Sequence, residues 1–152
     1  MSQRSGIIEY TERAFQQDAE QAMGGNIILA LVELITNCDD AYGDRVGTID
    51  IEVDRHSETG PSVRVRDTAG GLSSDDLERC FGVLGGRTSG FDQGERVRGL
   101  FGRGAKDTAT FGATTFETIH DGILGRFELT RTGHWTNDEP RLATSDDRRR
   151  LG

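Results

Sequence analysis

Glu33, Asn37 and Asp40 stand four and then three positions apart in the run Ala30-Leu31-Val32-Glu33-Leu34-Ile35-Thr36-Asn37-Cys38-Asp39-Asp40-Ala41. At about 100° per residue they share a narrow arc of one helix face. Ile27, Leu31, Leu34, Ile35, Cys38 and Tyr42 fall on the opposite side. A polar stripe is usually just a solvated face, but this one uses short, directional groups and lies between two alanines, Ala30 and Ala41. An amide oxygen is a hard ligand for a hydrated Mg²⁺ that shares phosphate oxygens. A carboxylate one turn away can orient and deprotonate a water. The stripe is therefore typed for phosphate chemistry, with Glu33 as the base and Asn37 as the metal ligand.

Two glycine-bearing segments add to it. In Val65-Arg66-Asp67-Thr68-Ala69-Gly70-Gly71-Leu72, an acid at a strand's end is followed by small residues. Such an acid accepts from an exocyclic amine while a flat ring lies on the backbone; taken alone, the segment reads as an ordinary turn. In Arg98-Gly99-Leu100-Phe101-Gly102-Arg103-Gly104-Ala105-Lys106-Asp107, a glycine-rich loop runs into a helix start and offers N–H groups to phosphate. Lys106, the chain's single lysine, is expected to reach phosphate as a point charge. The loop is not a Walker motif, because the lysine comes one residue late and Asp107 replaces Ser or Thr. It also lacks the third glycine and the preceding strand of a dinucleotide fingerprint.

Elements must hold these groups together. Residues 11–23 read as a helix broken by Gly24-Gly25; Asn26 then caps a second helix, Ile27–Tyr42, which stops at Gly43. Residues 48–54 alternate Ile49, Ile51 and Val53 with charge, the pattern of a half-buried strand, and Ser62–Arg66 completes a hairpin with it. Ser73 or Ser74 caps a short helix through Phe81. Glycine recurs through residues 82–104, as in a lid or binding loop, and residues 105–111 form a short helix. Thr114–His120 and residues 123–130 form a hairpin across Asp121-Gly122. Residues 7–10 are a short strand or an arm, and beyond Arg131 the chain turns polar.

With 152 residues the chain is about one domain long. Its net charge of −8 argues against direct nucleic-acid binding. No apolar run approaches membrane-spanning length. Cys38 and Cys80 fit neither a metal site nor a disulfide framework and read as small, reduced, buried residues. No signal peptide is evident, so a cytoplasmic location is expected.

In this order and spacing, the three segments resemble the GHKL superfamily of gyrase-type topoisomerase subunits, heat-shock chaperones, sensor histidine kinases, MutL-type repair proteins and MORC relatives. Glu33-x-x-x-Asn37-x-x-Asp40-Ala41 matches its N-box, Asp67-x-Ala69-x-Gly71 its adenine-binding loop, and Gly99-x-x-Gly102-x-Gly104 the loop ending its ATP lid. The match spans roughly residues 30–111. Asp40-Ala41 and Phe101-Gly102-Arg103-Gly104-Ala105-Lys106 look most like the chaperone, MutL and MORC branch.

The resemblance implies an α+β architecture, the Bergerat two-layer sandwich with helices on one face of a mixed sheet, and ATP with Mg²⁺ held between helices and lid. It makes Glu33 the general base, Asn37 the Mg²⁺ ligand and Asp67 the adenine reader. Asp40 sits near the nucleotide, Ala69 and Gly71 line the adenine loop, and Gly99, Leu100, Phe101, Gly102, Arg103, Gly104, Ala105 and Lys106 wrap the triphosphate. ATP and ADP are the implied ligands, and a homodimer formed on ATP binding and further domains or protein partners are expected.

Two departures stand out. Ala69 replaces the family's usual glycine, which would tighten the adenine pocket or require a backbone shift. The closing strands are not evident; either residues 135–152 contribute poorly patterned strands, or residues 1–152 are expected to be the N-terminal piece of a longer protein, the reading preferred here. Three functions compete: an ATPase driving a conformational cycle, a GHKL-type protein kinase, and a nucleotide-binding domain without turnover. The first leads.

Overall fold

The computed structural model describes residues 11–82 and 103–152. Helix α1 (Glu12–Met23) starts at Thr11, whose hydroxyl accepts from the Ala14 N–H at 3.3 Å. It ends on left-handed Gly24, which donates to the Glu20 carbonyl. The chain turns through 91° there and enters α2 (Ile27–Tyr42), capped by the Asn26 side chain accepting from the Ile28 N–H at 3.0 Å. No single helix among the described residues is long and apolar enough to cross a membrane.

Strands β1 (Asp50–Asp54) and β2 (Ser62–Arg66) form an antiparallel hairpin with Ile51 opposite Val65 and Val53 opposite Val63. Helix α3 (Ser74–Phe81) is capped by Ser73 and followed by Gly82. After residues 83–102 come the short helix α4 (Arg103–Asp107) and a 3₁₀ turn (Thr108–Phe111). The single helix expected over 105–111 is thus two tighter pieces.

Strands β3 (Thr114–His120) and β4 (Ile123–Leu129) pair across a turn in which Asp121 and Gly122 both have positive φ. β5 (Trp135–Asn137) and β6 (Arg141–Leu142) both pair with β4, and α5 (Ser145–Leu151) follows in a capping box made by Thr144 and Asp147.

The core lies between helices and the larger sheet. Phe15 of α1, Leu77, Cys80 and Phe81 of α3, Ala105 of α4, Ala109 of the 3₁₀ turn, and Phe127 and Leu129 of β4 are buried together. Phe81 stacks on Phe116 with ring centroids 4.0 Å apart, and Phe127 stacks on Trp135 at 5.3 Å.

The α+β class expected from the sequence is what forms. Among the described residues every strand pairing is antiparallel, and the strands fall into two sheets, β1-β2 and β3-β4-β5 with β6 on β4. Local hairpins account for most of this pairing, because β1 and β2, and β3 and β4, are joined directly.

The half-buried character expected of β1 is also corrected: all five of its residues are exposed, Ile51 and Val53 at 50% and 57%. Alternation marks an apolar side, but a two-stranded hairpin buries that side only if another layer covers it. Ile27, placed by periodicity on the apolar side of α2, is likewise exposed. β5 and β6, which the sequence did not show, are three and two residues long and mostly exposed, too short to show alternation.

Candidate functional site

Helix α2 is built with two working sides. Glu33 and Asn37, one turn apart, are partly buried on one of them. One residue round the helix, Cys38 and Tyr42 form a buried stripe, again one turn apart.

The Glu33 side meets the start of α4. A Cβ added to Gly104 would lie 2.0 Å from Glu33 Oε2 and 2.5 Å from its Cδ. The last glycine of the 99–104 loop therefore lets backbone pass directly against the carboxylate. Ala105 and Lys106 follow, both buried.

Lys106 is only 2% exposed, among the largest fully buried side chains. Helix α4 packs against both α1 and α2, so the one lysine is enclosed between helices instead of standing on the surface. A lysine taken out of water is held by polar or charged neighbours.

Asp40, one position short of a turn beyond Asn37, has a carboxylate oxygen, Oδ2, that is buried and has no hydrogen-bond partner among the described residues. Native proteins satisfy the great majority of such atoms, and a bound polar ligand or water is the usual partner. This oxygen sits at the end of the Glu33–Asn37–Asp40 stripe.

The Cys38–Tyr42 side holds the loop after β2. The Tyr42 hydroxyl donates to the Thr48 carbonyl at 2.7 Å and accepts from the Thr68 N–H at 2.9 Å. Arg45 donates through Nη2 to the Ala69 carbonyl at 2.7 Å and the Ala41 carbonyl at 3.0 Å, and through Nε to the Tyr42 carbonyl at 3.2 Å. One guanidinium thus satisfies carbonyls at the end of α2 and ties them to the loop.

Asp67 Oδ1 accepts from the Ala69 N–H at 2.9 Å. Burial, and after it the neighbouring Asp67 carboxylate, push the Cys38 thiol up from 9.0 to about 12, so it stays protonated.

From the far side, Thr118 of β3 accepts from the Leu72 N–H at 2.8 Å, and His120 Nδ1 donates to the Gly70 carbonyl at 3.0 Å. Gly71 has φ +69°, and any Cβ there would lie 2.3 Å from Thr118 Oγ1 and 2.6 Å from the Ile119 carbonyl oxygen, so only glycine fits. Ala69 is buried, and positive φ in this loop is confined to Gly70 and Gly71. Ala69 thus sits in backbone that an alanine adopts without strain.

Of the residues singled out in the sequence, the structure brings Glu33 to Gly104 and fastens the Asp67–Ala69–Gly71 loop to the other side of the helix bearing Asn37 and Asp40. Gly99, Leu100, Phe101 and Gly102, with the lid reading for residues 83–102, lie outside the described residues, as does the reading of residues 7–10.

Sequence reasoning took Tyr42 and Cys38 as apolar packing and passed over Arg45, Thr118 and His120. A tyrosine on a buried helix face needs a partner for its hydroxyl, which was the available signal for Tyr42. An arginine just beyond a helix C-terminus was the signal for Arg45.

Compared with protein families, residues 26–145 match the model described as histidine kinase-, DNA gyrase B-, and HSP90-like ATPase. The chain belongs to this family. The match takes in α2, the Asp67 loop, α4 and the larger sheet, and membership makes the domain an ATP-binding one. A comparison with curated proteins gives no significant match.

Proposed function

We propose that this GHKL-family domain binds ATP with Mg²⁺ and hydrolyses it, the turnover driving a conformational and dimerisation cycle within a larger protein. The observation that carries the reading is the contact between Glu33 and Gly104, which joins the helix bearing the polar stripe to the end of the phosphate-type loop.

Asp67 accepts from the adenine amine, and Asp40 Oδ2 takes a nucleotide or water partner. Asn37 supplies an amide oxygen to the metal, which when bound neutralises phosphate charge. Glu33 orients a water for attack on the terminal phosphorus and takes its proton as the bond to the bridging oxygen breaks, releasing phosphate and ADP. The Asp40-Ala41 and Phe101-Gly102-Arg103-Gly104-Ala105-Lys106 elements support the chaperone, MutL and MORC branch of the superfamily.

Product analysis with ATP labelled at the terminal phosphate tests the reading. Free phosphate is expected; labelled protein would establish the kinase alternative, and neither product would establish binding without turnover. Asn37→Ala should weaken binding of ATP with Mg²⁺ more than binding of ATP in EDTA. Equal losses in the two titrations would remove Asn37 as a metal ligand.

A further inference from the structure

The two residues that flank Asp67 both meet the end of α5. Arg66 Nη1 donates to the Arg150 carbonyl in the last turn of that helix, at 3.1 Å. On the other flank, a Cβ placed on Gly152, which caps α5, would stand 2.7 Å from Thr68 Cγ2, so the helix end lies against the Thr68 side chain.

Asp67 also stands at a joint. It follows directly on β2 of the smaller sheet, and among the described residues no strand pairing connects that sheet to the larger one. Thr118 and His120, which hold the loop beyond Asp67, belong to the larger sheet. So does the anchorage of α5: Arg150 pairs with Glu117 of β3, and Arg141 of β6 donates to Asp147 at 2.7 Å.

The Arg66 guanidinium spans the joint. Its Nη2 donates at 2.7 Å to Asp50 Oδ2, across the hairpin from it, while Nη1 takes the Arg150 carbonyl. Carbonyls in the last turn of a helix have no partner within the helix, and a cation beside them is favoured. The Asp50 half is an exposed ion pair, with side chains 34% and 56% accessible, and such pairs contribute little. The bond to α5 is the one that joins the two sheets.

We propose that Arg66 is a positioning residue for base recognition: by tying the end of β2 to α5, it fixes where the Asp67 carboxylate stands relative to the sheet that holds the rest of its loop. This rests on the assignment of Asp67 as the adenine reader. The Asp67 side chain is oriented locally, through the Ala69 N–H at 2.9 Å. Arg66 sets the place of that unit, and a hydrogen bond to the base weakens steeply once its acceptor moves out of line. The coupling is reciprocal, so a nucleotide held by Asp67 also holds α5 in place.

The test compares ATP with purine riboside triphosphate, which lacks only the exocyclic amine, by calorimetry on the full chain. The parent is expected to prefer ATP by about tenfold, the value of one hydrogen bond to a charged group. Asp67→Ala should abolish the preference. Arg66→Leu, which keeps an apolar stem and removes both donors, should reduce it to about threefold or less. Asp50→Ala, which removes only the exposed ion pair, should leave it unchanged. A merely structural arginine would lower the melting temperature in Arg66→Leu and leave the ratio alone.

If Arg66→Leu keeps the parent's ratio while Asp67→Ala loses it, the positioning role is overturned and the adenine assignment stands. If Asp50→Ala lowers the ratio as far as Arg66→Leu does, the hairpin ion pair acts instead and the tie to α5 is overturned. If the parent shows no preference and Asp67→Ala changes nothing, the adenine assignment fails and takes the proposal with it. Should Arg66→Leu not fold, amide exchange in the last turn of α5 is compared in the parent with and without ADP. Slower exchange with ADP supports the proposal, and unmoved exchange overturns it.

Discussion

Gly104 lies against the Glu33 side chain so closely that the Cβ it lacks would stand 2.0 Å from Oε2. The start of α4 and the middle of α2 are therefore fitted to each other through a carboxylate and a bare backbone. An exposed glutamate would leave room for any residue at position 104.

Gly104→Ala tests that fit. In a helix alanine is favoured over glycine by about 1 kcal/mol. The clash is with the free end of a flexible side chain, so the carboxylate swings aside more cheaply than α4 unpacks. Thermal stability should change little, and ATP affinity should hold within a few fold. Phosphate release should fall by about tenfold or more, a part of what a positioned base contributes. An unchanged rate would mean that the position of the Glu33 carboxylate does not govern turnover.

Tyr42→Phe removes one hydroxyl that serves the Thr48 carbonyl and the Thr68 N–H together. Leaving such groups without partners costs about 1–3 kcal/mol. In a domain of this size each kcal/mol lowers the melting temperature by about 2–4 °C. ATP affinity should fall as well, because Thr68 adjoins Asp67. A variant that melts with the parent would show that the hydroxyl is replaced by water at no cost.

Much of this arrangement was legible in the residues because it is local. Asn26 and Ser73 announce helix starts by chemistry completed within three residues, and both accept the bonds expected of caps. The Glu33, Asn37 and Asp40 stripe follows from helical period alone. What escaped depends on distant partners. Nothing near Arg45 in sequence points to the Ala69 carbonyl, and nothing near Cys38 points to Asp67. Nothing in the sequence around Lys106, read as a point charge for phosphate, shows that α1 and α2 pack on the helix that carries it and bury its side chain. The alternation in β1 tells which side is apolar but not whether anything covers it.

Asp147 gives the stability a pH dependence of known sign. It is buried, accepts from Arg141 at 2.7 Å and 3.1 Å, and accepts from the Thr144 N–H and hydroxyl; Arg150 links it to Glu117. The Arg141 bonds, followed by those of Thr144, hold its carboxyl well below the ordinary 3.8. A depressed folded value stabilises above the unfolded one and is lost as pH falls below it. The contribution should thus be full at pH 5 and above and should fade below about pH 4. Asp147→Asn should melt lower than the parent at neutral pH, and the difference should shrink on acidification. A constant difference down to pH 2 would contradict the ionic account.

Glu33→Ala separates binding from chemistry. Glu33 lies one turn from Asn37 and touches Gly104, but it makes none of the bonds that fasten the Asp67 loop. Removing its carboxylate should therefore leave the adenine end of the site intact and ATP affinity within a few fold. A positioned general base contributes about 10²–10⁴-fold to rate, so phosphate release should fall by about two orders of magnitude or more. The truncation also leaves space beside Gly104, which the double variant Glu33→Ala with Gly104→Ala can use. If the two residues act only through their contact, Gly104→Ala should cost nothing further in the Glu33→Ala background, a coupling that a double-mutant cycle reads directly. The comparison belongs in the longest chain that can be expressed, with nucleotide affinity measured beside turnover, since dimerisation or further domains would complete the site. Phosphate release from Glu33→Ala at the parent's rate would place the base elsewhere.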